Sequence, residues 1–191
     1  MPRFKMADLP LSYAYDIHPS LKTFEITAGS YLSQQVEFAG IVGAAIIIHN
    51  SHVLLLQRAP DDDCPNLWEA PGGEAKSDET LVQCAVRELK EETGLGACVV
   101  LDMVGEFEWS EKNSRRGRNW ETRTWKIFMF VITINDSSGD LEVKLDPREH
   151  QGYLWATETD IREGSCGGTH LQWISSNQQQ AILAAFETTC T

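Results

Sequence analysis

The sequence predicts an α/β protein in which a mixed β-sheet lies between helices. Three observations lead there. Apolar runs of strand length at Gly40–His49 and Arg123–Ile134 are rich in Val, Ile and Phe. Between them lies a segment whose apolar residues recur with helical period: Val82, Ala85, Val86 and Leu89 stand at i, i+3, i+4 and i+7. Strands and helices also interleave without a regular βαβ rhythm, which favours a mixed sheet over a parallel one.

Taken in order, residues 1–38 carry Pro2, Pro10 and Pro19 among scattered aromatics and read as an extension packed on a domain spanning 39–191, with a short strand expected at Lys22–Thr27. Gly40–His49 and Val53–Gln57, separated by the turn-like His49-Asn50-Ser51-His52, are expected to form a hairpin. Asp61–Gly73 is rich in Asp, Pro, Asn and Gly and is expected to be a loop; Ser77-Asp78-Glu79 then starts a helix that Gly94 ends. Two long strands, Ala97–Trp109 and Arg123–Ile134, flank the polar segment Ser110–Thr122. A turn at Ser137–Asp140, a strand at Gly152–Ala156, a capped helix at Thr157–Glu163, a Gly-rich loop at Gly164–Gly168 and a terminal helix at Asn177–Phe186 complete the chain.

Composition narrows function. The chain has 191 residues, 42% of them hydrophobic, enough for one sizeable core. Its formal net charge of −12 repels polyanions, so duplex nucleic acid is not an expected partner. Five cysteines, an odd number without a CxxC pair, argue against a disulfide framework and a zinc site. No apolar run approaches the ~20 residues of a membrane span. The chain is therefore expected to be soluble and cytoplasmic, with no membrane partner; a homodimer is left open.

Glu88, Glu91 and Glu92 stand at i, i+3 and i+4 of the helix, where a rotation of about 100° per residue gathers them on one arc. Like charges so placed repel, and hard oxygen ligands gathered at one spot are what Mg²⁺ or Mn²⁺ binds. A solvated acidic face is the competing reading of the glutamates alone. The surrounding residues weigh against it. Gly73 lies six residues before Glu79, Glu79 eight before Arg87, and Arg87-Glu88-Leu89-Lys90-Glu91-Glu92-Thr93-Gly94-Leu95 follows unbroken.

That spacing resembles, at every specified position, the Nudix box G-x5-E-x7-R-E-U-x-E-E-x-G-U, where U is a bulky aliphatic residue. The chain is thus similar to the Nudix hydrolases. The resemblance implies an α/β/α sandwich and a metal-dependent pyrophosphohydrolase that cleaves a nucleoside diphosphate linked to another moiety, a nucleoside triphosphate among them, by water attack at phosphorus. It carries Glu88, Glu91 and Glu92 over as metal ligands, with the Gly73 carbonyl as an additional one. Many acids suit this chemistry: a diphosphate repels hydroxide until cations neutralise it, and metal also acidifies water. One glutamate then takes the proton, and the resemblance leaves open which. Glu79 and Arg87 are expected to hold the loop and orient Glu88.

Outside the box the likeness narrows to MutT-like members. Arg58 matches their phosphate-contacting arginine, and Glu149, six residues before Trp155, resembles their extra acidic ligand or base. Asn177 falls near their base-reading residue, although Asn is also a favoured helix N-cap, the reading preferred here. Ala70 stands where such enzymes carry an aromatic base-stacking residue, so strong selection of oxidised guanine is not expected. Trp109, Trp120 and Trp125 are read first as core residues and second as a pocket wall. Arg115-Arg116-Gly117-Arg118, the basic cluster of an acidic chain, is either a solvated tip or a phosphate clamp. Two other readings compete: hydrolysis of a non-nucleotide diphosphate, with an apolar pocket pointing to isoprenoids and a basic one to inositol species, and a non-catalytic Nudix binding domain.

Overall fold

A computed structural model describes residues 14–116, 119–134 and 141–189, the side chains of 111–121 and 189 excepted. The expected turn at 137–140 and the side chains of the basic tip 115–118 lie outside the described residues.

The chain enters along β1 (Asp16–Ile17), which pairs in parallel with β7 (Ala97–Arg116). Pro19–Glu25, where part of a strand is expected, is instead a 3-10 helix. Pro19 sets its first turn and the His18 ring accepts from Ser20 N–H, so the segment satisfies its own backbone locally. After α1 (Ala28–Gln34), the run Gly40–His49 divides. β2 (Gly40–Ile46) enters the main sheet between β8 (Asn119–Ile134, parallel) and β6 (Gly72–Glu74, antiparallel). β3 (Ile48–His49) pairs with β4 (His52–Arg58) in a second sheet. The expected hairpin is therefore real only at its tip. Asn50 and Ser51 both take positive φ, 48° and 61°, as a tight hairpin turn requires.

The main sheet runs β1-β7-β8-β2-β6; in the second, β4 is flanked by β3, β5 (Trp68–Glu69) and β9 (His150–Thr157). Alternation along the central strands sorts two cores. Ile41, Ala45, Phe128, Phe130 and Ile132 face α2 (Leu81–Thr93) through Val82, Ala85, Val86 and Leu89. Ala44, Ile46, Ile127, Met129 and Val131 face α4 (Ser176–Thr189) through Ala181, Ile182, Ala185 and Phe186. With both faces covered, these strands read as continuous apolar runs. The result is the expected sandwich of a mixed sheet between helices. Leu21 and Ala28, 2% and 1% exposed, lie in the first of these cores.

α2 begins one turn later than expected. Thr80 caps it, in a reciprocal capping box with Gln83. The backbone carbonyls of Ser77 and Glu79 accept from Gly29 and Ala28, holding that stretch outside the helix. Gly94 ends α2 at φ 73°, as expected. The expected loop Asp61–Gly73 contains β5 and the start of β6, and the Gly-rich stretch near 165 holds the small hairpin of β10 (Ser165–Cys166) and β11 (Thr169–His170). The expected strand at 152–156 and capped helix at 157–163 are β9 and α3 (Glu158–Glu163), with Thr157 as the N-cap.

Candidate active site

α2 lies against β2 and β6, and this packing turns its carboxylates toward the end of β4. They open into a cavity of about 740 Å³ lined by Arg58, Gly73, Arg87, Glu88, Glu91, Glu92 and Glu149 of the sequence-expected set. Gly72 and Gly73 make the approach feasible. A Cβ on Gly72 would stand 2.6 Å from the Ala44 Cβ, and one on Gly73 2.6 Å from Glu88 Oε1. The Gly73 carbonyl accepts a hydrogen bond from the buried Cys84 thiol at 3.3 Å. Burial, with Glu79 and Glu88 nearby, pushes that thiol up to about 12, so it stays protonated and able to donate.

Arg87 organises the helix side of the cavity. All five of its N–H bonds have oxygen acceptors. Nε and Nη2 donate to Glu79 (2.7 and 3.0 Å), Nη1 to Glu88 (2.6 Å) and Glu91 (2.9 Å), and Nη2 also to the Glu74 carbonyl (3.1 Å). Glu79 reaches Arg87 from the turn before the helix, and is outside the cavity lining. Burial alone would lower the Arg87 pKa, but Glu79 and Glu88 outweigh it and the net shift is upward. Glu92 is 5% exposed and accepts from Gly72 N–H at 2.9 Å. Burial, then the charges of Glu69 and Glu88, hold its carboxyl well above the ordinary range; burial raises Glu88 too, against the pull of Arg87.

Across the cavity, ligand atoms of Glu92, Glu149 and His150 lie within 4.8 Å of one another. His150 Nε2 stands 3.1 Å from the buried Glu69 Oε1, which also accepts from Arg58 Nη1 at 2.6 Å. Arg58 is clasped on its other edge by Asp62, at 2.9 and 2.7 Å. Seven carboxylates line the cavity, counting Asp62, Glu74 and Asp146, against the three guanidinium groups of Arg58, Arg87 and Arg148. A donor set rich in hard carboxylate oxygens, two of them on the buried Glu88 and Glu92, fits a divalent cation.

Asn177 is not brought to this site. It is exposed at the second residue of α4, and its N–H donates to Ser175 Oγ, so Ser175 supplies the cap expected of Asn177. Its neighbour Gln178 is the buried one, accepting from Ala70 N–H at 3.0 Å. Trp125 is core at 7% exposure, whereas Trp109 is 43% exposed with its ring 5.2 Å from that of Trp125; neither lines the cavity, and Trp120 lies outside the described side chains. Glu69, His150, Asp62, Glu74, Asp146 and Arg148 were not legible as site residues. For Asp146, Arg148 and His150 the one sequence signal is the run Asp146-Pro147-Arg148-Glu149-His150, polar and titratable where β9 begins.

Comparison with known proteins gives a consistent result. The NUDIX domain model matches residues 41–174. The CTP pyrophosphohydrolase of Escherichia coli (strain K12) is 34% identical over 116 residues, covering 61% of this chain and 74% of the relative. The m7GpppN-mRNA hydrolase NUDT17 of Xenopus laevis is 29% identical over 148 residues, and the chain spans only 49% of its length. Among solved structures, the MutT protein from Methanosarcina mazei Go1 superposes with a TM-score of 0.56 at 23% identity, covering 80% of this chain and 96% of that one. An ADP-ribose pyrophosphatase from Streptococcus suis gives 0.54 at 18% identity, with coverage of 80% and 92%. Identities this low establish the fold alone. With an unbroken signature whose carboxylates converge on one cavity inside the matched span, the chain belongs to the NUDIX family of hydrolases acting on diphosphate bonds.

Proposed function

We propose that this protein is a divalent-metal-dependent pyrophosphohydrolase of nucleotides, cleaving a nucleoside triphosphate or another nucleoside diphosphate derivative by water attack at phosphorus. The observation that carries this reading is the convergence of Glu88, Glu91, Glu92 and Glu149 on one cavity that also presents arginine. Mg²⁺ or Mn²⁺ is the proposed cation, held by Glu88, Glu91 and Glu92 with the Gly73 carbonyl within reach. Such a cation neutralises the diphosphate and acidifies water. Arg87, backed by Glu79, orients Glu88 and Glu91. One of the cavity glutamates, with Glu149 on the opposite wall a candidate, accepts the proton. Arg58, kept in place by Asp62 and Glu69, is assigned to the phosphates as a fixed positive charge at the cavity wall, and Asn177, exposed and outside the cavity, has no assigned role.

The cavity walls also bear on substrate. Among the described residues lining it none is apolar beyond glycine, which disfavours an isoprenoid tail, and carboxylates outnumber guanidinium groups, which disfavours a polyphosphorylated inositol. Intact carboxylates speak against a binding-only domain. The named relatives include a CTP pyrophosphohydrolase and an mRNA cap hydrolase, both acting on nucleotide anhydrides by their names. A reducing compartment such as the cytoplasm suits the free Cys64, Cys84, Cys98 and Cys166, and no helix among the described residues is long and apolar enough to cross a membrane. The test is release of phosphate or pyrophosphate, with and without Mg²⁺, across nucleoside triphosphates, 8-oxo-dGTP, NDP-sugars, dinucleoside polyphosphates and prenyl diphosphates. Turnover of prenyl diphosphates alone would overturn the nucleotide assignment.

A further inference from the structure

We infer that Arg148, outside the Nudix signature, is the residue that grips the substrate's phosphate chain on the side away from α2. The inference rests on the proposed diphosphate chemistry and deepens it. Three arginines line the cavity, and they differ in what they can still bind. Arg87 has every N–H committed, four of them to carboxylates. Arg58 is held between Asp62 and Glu69, and Glu69 is 6% exposed, so pulling Arg58 toward a phosphate strips one cation from a buried carboxylate. Arg148 is 83% exposed at its side chain and, among the described residues, pairs with Asp146 alone, two residues away on the same turn. Its Nη1 has no partner among the described residues. Exchanging a solvated ion pair for phosphate oxygens costs little, and a guanidinium fork matches those oxygens with two parallel hydrogen bonds.

The mounting of Arg148 supports the same role. The N–H groups of Glu149 and His150 both donate to the Asp146 carbonyl, at 3.1 and 2.9 Å, and the Asp146 carboxylate accepts from Arg148 N–H at 3.0 Å. Arg148 thus sits near the apex of a closed turn. The far end of that turn is anchored twice: Ala59 N–H donates to the Glu149 carbonyl at 2.9 Å, and the buried His150 ring meets Glu69. An exposed side chain that exchanges Asp146 for phosphate oxygens on a pinned backbone can follow a phosphate chain while Glu149 beside it stays close to Glu92. The chemistry recognised is a di- or triphosphate anion.

Imidodiphosphate, a diphosphate that cannot be cleaved at its bridge, is the direct probe. Its calorimetric affinity, measured with excess Mg²⁺, is expected to fall about tenfold in Arg148→Ala, the scale of one charge-assisted contact, and to recover in part in Arg148→Lys. Mn²⁺ binding without the probe should be unchanged. On a nucleotide that the wild type turns over, KM rises by a similar factor while kcat stays within about twofold, the signature of an interaction made equally in ground and transition states. Equal imidodiphosphate affinity in wild type and Arg148→Ala, no binding by the wild type, or a fall in kcat at constant KM would each overturn the inference. A wild type that binds imidodiphosphate through Arg148 yet hydrolyses no nucleotide would instead refute the proposed function and leave this assignment standing.

Discussion

Arg87→Ala should be the most damaging single change at the site that alters no proposed metal ligand. The guanidinium and its partners Glu79 and Glu88 are each only 10–12% exposed at the side chain, whereas Glu91 is 49% exposed. Truncation leaves two nearly buried carboxylates without a counter-charge, a loss of about 3–5 kcal/mol for a broken buried pair. The exposed Glu91 contact adds at most a few tenths on the scale of surface pairs. For a domain of this size about 2–4 °C is lost per kcal/mol, so the melting temperature should fall by roughly 6–20 °C. Glu88 and Glu91 also lose the group that aims them, and a displacement on the order of 1 Å at a reacting centre can cost about a hundredfold in rate. Arg87→Lys keeps the charge but not the fork and should recover less than half of the stability loss. Thermal melts in EDTA and steady-state kinetics in Mg²⁺ read the two effects separately. A loss in Arg87→Ala below about 1 kcal/mol, with kinetics intact, would refute the organising role, because that is what an exposed ion pair gives.

Three further outcomes are expected. Glu92 takes a proton more readily folded than unfolded, so the stability it contributes is full below its ordinary pKa of 4.5 and is lost as pH rises through the higher folded value. Glu92→Gln, which keeps an acceptor for Gly72 N–H but carries no charge, should therefore melt higher than wild type at pH 8 in EDTA while the two converge near pH 4; a lower melting temperature at pH 8 would refute this. Gly73→Ala places a methyl 2.6 Å from Glu88 Oε1, and turnover should fall on the order of a hundredfold through displacement of that carboxylate; unchanged kinetics would show that Glu88 can yield freely. Leu21→Ala empties a position 2% exposed in the first core and should cost about 2–5 kcal/mol by denaturant titration, whereas a cost near zero would mean that the N-terminal segment is only loosely attached.

The helix side of the site was legible because its chemistry is local. Helical period places Val82, Ala85, Val86 and Leu89 against the sheet, and the same period gathers Glu88, Glu91 and Glu92, so one stretch of sequence encodes both the packing and the proposed ligands. Glu149 was legible only through resemblance. The wall that holds it was not, because Glu69, His150 and Arg58 meet through the β4–β9 and β4–β5 pairings, between strands that are remote in sequence. No spacing rule links residues 58, 69 and 150. The division of Gly40–His49 was hidden for a related reason: a run buried on both faces carries no alternation to show where the chain leaves one sheet for the other. Glu79 was misplaced into the helix because Ser77 and Thr80 are both acceptable caps. Thr80 prevails through Gln83, three residues on, and because α1 takes the carbonyls of Ser77 and Glu79. Asn177 and Gln178 show the limit of residue-type reasoning at a helix start: adjacent amides meet opposite fates, one in solvent and one buried against Ala70.

Metal dependence of turnover in wild type, Glu91→Gln and Glu92→Gln is the most direct measurement of the central claim that carboxylates of α2 hold a cation that drives diphosphate hydrolysis. Hydrolysis of a nucleotide substrate should be abolished in excess EDTA, be restored by Mg²⁺ or Mn²⁺, rise above neutral pH, and fall by orders of magnitude in both variants with the fold retained. Full turnover in excess EDTA, or near wild-type rates in both variants, would contradict it and place the chemistry elsewhere.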